Sequence, residues 1–276
     1  MCGFFVIKKK NNNFKLDKKL FLKSCDLINH RGPDDKENFF SNNLSIGFRR
    51  LSIVDLTTNG RQPMIDEKKG MILVFNGEIY NARKLKKYFK NHEFKGNSDT
   101  EVLFKLYQKY GTSCLNMIKG MFSFVVYDSK ENSIFLARDQ FGIKPLYYFE
   151  EKNYLLISSE IKPIINYLAK SEIDYKTLTE YFLLGKQDHD NTTFFKNIKS
   201  IEPAHYYKFK GQNNYKKKYW SIFKTQPIKL DEKKSIDHLS NLLIETIDDY
   251  LISDRKVATF LRGFKVFGRK SFKTKP

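Results

Sequence analysis

Short apolar segments that follow one another in pairs are the feature of this sequence that most limits its fold. Their β-branched and aromatic content predicts strands at 2–7, 44–50, 71–76, 121–128, 133–137, 146–150 and 154–158. Apolar residues at helical spacing predict helices at 17–29, 81–90 and 98–110. Because strands dominate and the helices come in clusters rather than in regular alternation with them, the pattern predicts an α+β fold in which helices flank sheets.

The last third of the chain changes character along its length. A strand pair is predicted in "KSIEPAHYYKFK" (199–210), and the basic stretch 210–218 is predicted to be a surface loop. Apolar residues recur every three or four positions from 235 to 252, which predicts an amphipathic helix, and the buried strand "KVATFL" is predicted to follow it. The predicted divisions are a main domain at 2–210, a linker at 211–232, the start of a second domain at 233–261 and a basic tail at 262–276.

The excess of positive charge does not identify a partner. Lys and Arg outnumber Asp and Glu by 50 to 31, for a formal net charge of +19, but the lysines are spread over the whole chain and mixed with Asn, Phe and Tyr. No helix-turn-helix, zinc-finger or RNA-recognition signature accompanies them. We therefore expect no nucleic acid as a partner.

The cysteines and the amino terminus indicate the compartment. Cys2, Cys25 and Cys114 show neither the spacing of a disulfide framework nor that of a metal site. The apolar run after Met1 ends at Lys8, too early for a signal peptide, and no segment has the length of a membrane span. We expect a soluble, cytoplasmic protein that binds neither a metal nor a membrane.

The beginning "MCGFF" could carry chemistry. Cysteine is small enough for the initiator methionine to be removed, which would leave a thiol and a free α-amine on Cys2. Such an amine, with a pKa of about 7.7 to 8.0, can accept the proton of the thiol, so no histidine is required. Taken alone the signal is weak, because small residues commonly follow Met1.

Three further segments contain polar residues that could complete a site. "FNGEIYN" places Asn76 and Gly77 at the end of an apolar strand, where an amide and a backbone N–H could stabilise an oxyanion, although Asn-Gly is also a common turn dipeptide. "RRLSIVDL" contains Arg50, and "GNSDTEVL" contains Asp99 at a predicted helix start. On their own, Arg50 could be a surface charge and Asp99 part of a helix cap.

A family resemblance removes most of this ambiguity. Nine segments resemble those of glutamine-hydrolysing asparagine synthetases in order and spacing: "MCGFF", "HRGPDD", "RRLSIVDL", "GRQPM", "FNGEIYN", "SDTEVL", "GMFSFVVYD", "ARDQFGIKPLYY" and "SSEIKP". They cover about residues 2 to 163, and a weaker similarity extends to about Leu261. The resemblance implies a class II glutamine amidotransferase domain with the four-layer αββα sandwich of N-terminal nucleophile hydrolases.

The resemblance also implies roles for individual residues. Cys2 matches the nucleophile that attacks the side-chain amide of glutamine, and Asn76 with Gly77 matches the oxyanion hole. Arg50 matches the residue that binds the substrate α-carboxylate, for which a bidentate guanidinium is suited. Carboxylates near the α-ammonium and residues lining the same pocket are implied at Glu78, Asp99, Leu51, Ser52, Ile53 and Val54. No cofactor is expected for this glutaminase step. "HRGPDD" and "ARDQFGIKPLYY" are expected to be structural.

The sequence departs from the family after Leu261. Full-length members continue there with a Ser-Gly-Gly pyrophosphate loop of an ATP-dependent synthetase domain, whereas this chain continues with Arg262, Gly263 and Phe264. We therefore expect ATP and Mg²⁺ only with the missing domain, and a truncated or frame-shifted gene as the origin of the tail.

Several readings of the function remain open at this stage. The first is the ammonia-supplying half of asparagine biosynthesis, acting as a homodimer or with a separately encoded synthetase domain. A second is an amidotransferase that serves another carboxylate acceptor, such as a sugar acid, and a third is a catalytically uncoupled fragment.

Overall fold

The computed structural model describes residues 1–89, 92–186, 190–211 and 213–257. In chain order its strands are β1 (Gly3–Lys9), β2 (Asp35–Phe40), β3 (Leu44–Arg50), β4 (Met64–Asp66), β5 (Met71–Ile79), β6 (Gly120–Asp128), β7 (Ser133–Arg138), β8 (Tyr147–Glu150), β9 (Tyr154–Ser158), β10 (Ile198–Ser200), β11 (His205–Lys210) and β12 (Asn213–Lys218). Its α-helices are α1 (Lys18–Asp26), α2 (Ala82–Leu85), α3 (Asp99–Tyr110), α4 (Ile161–Leu168), α5 (Tyr175–Leu184) and α6 (Glu232–Tyr250).

The strands form two six-stranded sheets with antiparallel neighbours. The first sheet has the order β10-β8-β9-β1-β3-β2, and the second has the order β12-β11-β7-β6-β5-β4. In the first sheet β1 pairs with β3 on one side, where Gly3 lies opposite Arg49, and with β9 on the other. In the second sheet β5 pairs with β6 along its whole length, from Met71 opposite Asp128 to Ile79 opposite Gly120.

Burial on both faces explains why the central strands are almost uninterrupted apolar runs. On β1, Phe4 and Val6 belong to the core between the two sheets, whereas Phe5 and Ile7 pack against α1 and α4 on the other face. Side chains alternate between the faces of a strand, so both sets must be apolar. On the outer face of the second sheet, β5 and its neighbours pack against α2 and α3. The layers are therefore helix, sheet, sheet and helix, which confirms the predicted αββα sandwich.

Three local predictions are wrong. The strands predicted as a pair at 199–210 are β10 and β11, which do not pair: β10 pairs with β8 in the first sheet, and β11 pairs with β7 and β12 in the second. The helix predicted at 81–90 is α2, with only four residues, followed by a 3-10 turn at Lys86–Tyr88. Only Ala82 and Leu85 are buried there, so a single turn satisfies its apolar face. The stretch 210–218, predicted to be a loop, contains β12, which pairs with β11 along 205–210. All six residues of β12 are exposed, so this edge strand lacks the apolar alternation that predicts strands.

The carboxy-terminal part is a single long helix and a short extension. The amphipathic helix predicted at 235–252 is α6, which begins after the N-cap Asp231 and ends at Tyr250. Its apolar side chains are exposed. The predicted strand from Ala258 onward and the tail at 262–276 lie outside the described residues. Within the described ranges, no helix is long and apolar enough to cross a membrane.

Gly47→Ala tests the contact between the first sheet and α1. A Cβ atom at Gly47, on β3, would lie 2.2 Å from Cys25 Sγ and 3.0 Å from Cys25 Cβ on the helix. We expect the free energy of unfolding to fall by about 1–3 kcal/mol, the usual cost of overpacking a core, because α1 must move outward. Urea unfolding measures the change.

The same substitution in a Cys25→Ala background is the control. Removal of Sγ leaves the milder contacts with Cys25 Cβ and, at 3.3 Å, with Oδ1 of Asn38, so Gly47→Ala is expected to cost less there than in the wild-type chain. Equal costs in the two backgrounds would contradict the contact with the thiol.

Candidate active site

A cavity lies where β1 begins, where β3 and β5 end and where α3 begins. Its wall contains Cys2, Arg50, Leu51, Ile53, Val54, Asn76, Gly77, Glu78 and Asp99, which are nine of the ten residues that the sequence singled out for the glutaminase site. Met1, Gly60, Gln62, Lys144 and three residues next to the predicted set complete it. Five separate parts of the chain, at 1–2, 50–62, 75–78, 98–100 and 144, thus contribute polar groups to one cavity.

Cys2 is held by its neighbours on two sides. The N–H of Leu51 donates to Cys2 Sγ over 3.4 Å, and the thiol lies 3.6 Å from the carbonyl oxygen of Leu51. On the other side, the Nε of Arg31 donates to the carbonyl oxygen of Cys2 over 3.0 Å. A Cβ atom at residue 3 would lie 2.9 Å from Cδ of Arg31, so glycine after the cysteine lets this side chain approach the backbone.

Arg31 is a residue that sequence reasoning missed. It belongs to "HRGPDD", which was predicted to be structural, and its guanidinium is buried. The carboxylate of Glu160 accepts from Arg31 over 3.0 Å and lies 2.8 Å from Nε2 of His30. Glu160 comes from "SSEIKP", another of the motifs, so the joint occurrence of these two segments was the available signal. Together they fix the backbone of Cys2, and neither of them lines the cavity.

Asn76 presents a buried amide that is not hydrogen bonded at its nitrogen. Its side chain is 1% exposed, and its Nδ2 has no hydrogen-bond partner in the part of the chain that the structure describes. Such a donor is costly to bury, which indicates that an acceptor arrives from the cavity. Gly77 follows on β5, where a Cβ atom would lie 2.2 Å from the carbonyl oxygen of Met121 on β6. Glycine is therefore required for the two strands to pair at this level.

Arg50 is buried and held by carbonyl oxygens rather than by carboxylates. Its guanidinium donates to the carbonyl oxygen of Thr57 over 2.9 Å and to that of Asp55. Gly60 packs on it so closely that a Cβ atom would lie 2.1 Å from its Nη2. Among the described residues Arg50 forms no salt bridge, so its charge is available to an anion in the cavity.

Two carboxylates, Asp99 and Glu78, line the same cavity as Arg50. Asp99 accepts from the N–H of Ile79 over 2.8 Å, and burial raises the pKa of Asp99 to about 7, with a further increase from the nearby charge of Glu78. Burial also raises the pKa of Glu78, although Lys144 opposes this. Ser98 caps α3 by accepting from the N–H of Thr100 over 3.1 Å, which places Asp99 in the first turn.

Lys144 is the second residue that sequence reasoning missed. It lies in "ARDQFGIKPLYY", its side chain is 4% exposed, and it lines the cavity. Asp139 holds its backbone by accepting from its N–H over 2.9 Å. Burial lowers the pKa of Lys144, while the negative charge of Glu78 raises it. A lysine between Ile143 and Pro145 in an apolar connection was the signal that could have identified it.

Ser52 does not line the cavity, unlike the rest of the predicted set. Its N–H donates to the carboxylate of Asp34 over 2.8 Å, and its carbonyl oxygen accepts from Nε of Arg255 over 3.2 Å. The loop that follows β3 therefore alternates: Leu51 and Ile53 face the cavity, while Ser52 is bonded to groups outside it. Leu261, beside the expected pyrophosphate loop, lies outside the described residues.

The amine and the thiol at the amino terminus have opposite pKa shifts. Burial, together with the charges of Lys144 and Arg31, lowers the pKa of the α-amine, which in the printed chain belongs to Met1. Burial raises the pKa of the Cys2 thiol, while the Leu51 N–H, the α-amine charge and Arg50 lower it. With Met1 present, the amine and the thiol belong to different residues, so these shifts describe the chain before the methionine is removed. In the described ranges, no group of three or more His, Cys, Asp or Glu could hold a metal ion.

Two solved structures share this fold. One is the glutamine phosphoribosylpyrophosphate amidotransferase of Bacillus subtilis, with a TM-score of 0.55 and 18% sequence identity over 80% of this chain and 50% of that chain. The other, titled as the allosteric regulatory enzyme of purine biosynthesis, has a TM-score of 0.57 and 17% identity over 80% and 49%. At these identities the likeness concerns the sandwich alone.

Curated relatives are more similar in sequence. Asparagine synthetase [glutamine-hydrolyzing] 2 of Bacillus subtilis is 38% identical over 87% of this chain and 34% of its own length. A putative asparagine synthetase of Methanocaldococcus jannaschii is 36% identical over 86% of this chain and 50% of its own. Amidase chry2 of Gibberella zeae is 34% identical over 87% and 36%. The chain thus spans about a third to a half of the length of these relatives.

The family comparison covers most of the sandwich and the cavity. The model of the glutamine amidotransferase domain matches residues 1–220, which include every strand of both sheets and all the residues that line the cavity. This match extends beyond the predicted domain end at 210 and includes the edge strand β12. The chain therefore belongs to the family of glutamine amidotransferase domains.

Proposed function

We propose that this chain hydrolyses the side-chain amide of glutamine to glutamate and ammonia through a thioester on Cys2. The observation that carries the proposal is the buried Nδ2 of Asn76, which has no hydrogen-bond partner in the described structure and lines one cavity with Cys2 and Gly77. A donor in this position can stabilise the oxyanion that forms when a thiolate attacks an amide carbon.

The fixed charges of the cavity complement an amino acid. The buried Arg50, which has no carboxylate partner among the described residues, would bind the α-carboxylate of glutamine. Asp99 and Glu78 would bind its α-ammonium, and Leu51, Ile53 and Val54 would contact the aliphatic part. The neutral side-chain amide would then lie beside the thiol of Cys2.

The reaction needs only groups of this chain and water. After removal of Met1, the α-amine on Cys2 takes the proton of the thiol, and the sulfur attacks the amide carbon. The oxyanion is stabilised by Asn76 and Gly77. As the carbon–nitrogen bond breaks, the α-ammonium of Cys2 gives its proton to the amide nitrogen, which leaves as ammonia, and a thioester remains. Water then attacks the thioester carbon, glutamate leaves and the thiol is restored. No cofactor is required in this scheme.

The use of the ammonia is a further part of the proposal. The similarity to asparagine synthetases favours asparagine biosynthesis. A synthetase domain that binds ATP and Mg²⁺ would use the ammonia, either joined to this domain or bound to it as a separate chain. This chain would act with that domain or as a homodimer. The similarity to amidase chry2 supports a different acceptor as a second candidate. We place the reaction in the cytoplasm, which the free cysteines Cys2, Cys25 and Cys114 support.

Cys2→Ala is expected to abolish glutamate formation, because no other thiol lines the cavity in the described structure. The loss is expected to be at least about 10³-fold in kcat, as for the removal of a covalent nucleophile. An assay of glutamate release measures it, and intact mass shows whether Met1 has been removed from the same sample.

Cys114→Ala is the matched control, because it removes a buried thiol on the other side of the second sheet. It should retain activity and labelling of Cys2 by a glutamine-like electrophile. Absence of both activity and labelling in wild-type protein whose Met1 has been removed would disprove the proposed function.

The affinity for glutamine should fall as the pH falls. The pKa of Asp99 is raised to about 7, and only its carboxylate can pair with the substrate ammonium. At pH 8 most Asp99 side chains are ionised and at pH 6 most are protonated, so glutamine should bind about tenfold more weakly at pH 6. Calorimetric titration of the Cys2→Ala form with glutamine measures the Kd without turnover.

Asp99→Asn removes the titrating group and serves as the comparison. Its Kd is expected to be high at both pH values, with little change between them, whereas Asp128→Asn, distant from the cavity, should behave like the parent. A Kd for the parent that is constant from pH 6 to pH 8 would contradict the role of Asp99.

A further inference from the structure

The residues that follow α6 return to the candidate active site. The N–H of Asp254 donates to the carbonyl oxygen of Ile53 over 2.9 Å, and the carboxylate of Asp254 accepts from the N–H of Asp55 over 2.7 Å. The Nε of Arg255 donates to the carbonyl oxygen of Ser52 over 3.2 Å. Two adjacent residues thus hold three backbone groups of the loop that lines the cavity, from about 200 positions further along the chain.

Two other contacts attach the same segment. The guanidinium of Arg255 lies 3.7 Å from the Oδ2 of Asp34, which also accepts from the N–H of Ser52 over 2.8 Å. The ring of Tyr250, the last residue of α6, packs edge to face on that of Tyr80 at 4.7 Å between centroids. The 250–255 segment is therefore attached both to the loop after β3 and to the chain after β5.

The hydrogen bond from Asp55 leads directly to Arg50. Asp55 has a φ of +58°, in the left-handed region that is unfavourable for residues with a side chain. Its carboxylate accepts from the N–H of Thr57 over 3.0 Å and from that of Asn97 over 2.7 Å. Its carbonyl oxygen accepts from the guanidinium of Arg50. Asp254 thus stabilises Asp55, whose carbonyl oxygen orients the guanidinium of Arg50. In the described structure, Arg50 is the only buried arginine on the cavity wall.

We propose that Asp254 and Arg255 are positioning residues for glutamine, which fix the loop at 51–55 and, through the carbonyl oxygen of Asp55, the direction of the Arg50 guanidinium. Neither residue lines the cavity, so neither touches the substrate. The inference rests on the proposed function. The 250–255 segment lies beyond the family match at 1–220 and sets the affinity of the site for glutamine.

Asp254→Ala and Arg255→Ala test the proposal in the full chain. We expect the KM for glutamine to rise about tenfold in each, which corresponds to the loss of one hydrogen bond to a charged group, with kcat within about twofold of wild type. Asp248→Ala and Lys256→Ala are the matched controls. They remove the same charges from exposed positions whose side chains have no hydrogen bond or ion pair among the described residues, and both constants should stay unchanged.

A second readout separates positioning of Arg50 from a loss of general stability. 4-Aminobutanamide has the amide and the amine of glutamine but no α-carboxylate, so its inhibition constant should be the same in Asp254→Ala as in wild type. Asp254→Asn keeps an oxygen that can accept from Asp55, and it should recover most of the affinity for glutamine. Thermal unfolding shows whether each variant is folded. If Asp254→Ala is not folded, Asp254→Asn and Arg255→Ala provide the test.

The outcomes distinguish this inference from the proposed function. A folded Asp254→Ala with an unchanged KM, or with equal losses for glutamine and 4-aminobutanamide, overturns the positioning role while glutamine hydrolysis stands. Wild-type protein that hydrolyses no glutamine, and whose Cys2→Ala form binds none, overturns both.

Discussion

The packing of the two sheets against each other is the constraint on which the cavity depends. The inner faces of β1 and β5 belong to opposite sheets, and their apolar side chains form one core that includes Phe4 and Val74. Because these strands pack face to face, the start of β1 lies near the end of β5. Cys2 and Asn76, which are 74 positions apart in the printed sequence, therefore line the same cavity. Any change that shifted one sheet over the other would separate them.

Around this cavity, buried polar groups are left for an incoming molecule to satisfy. The Nδ2 of Asn76 has no partner in the described structure, and Arg50 is held only by neutral carbonyl oxygens. Burial of such groups without a hydrogen-bond or charge partner costs free energy, so their presence lowers the stability of the fold. Glu78, Asp99 and Lys144 add three ionisable side chains. Burial shifts the pKa of each in the direction that favours its neutral form. A zwitterionic substrate would supply the missing counter-charges.

Much of the fold could be predicted because buried positions are occupied by apolar residues, and their pattern is visible in the sequence. Strands such as β1 and β6, which are covered on both faces, are long apolar runs, and the helix α3 begins at a clear capping serine, Ser98. The edge strand β12 and the short helix α2 could not be predicted in this way. All side chains of β12 are exposed, and α2 buries only one turn, so neither imposes a pattern that a local reading can detect.

Short motifs of the family were enough to predict the αββα layers and the residues that we propose to bind and attack glutamine. How those residues are held could not be read from the motifs, because it depends on tertiary contacts. Arg31 and Glu160 fix the backbone of Cys2, Lys144 lines the cavity from the connection between β7 and β8, and Asp254 and Arg255 hold the loop that orients Arg50. These contacts join segments that are distant along the chain, and their geometry exists only once both sheets and their helices have packed.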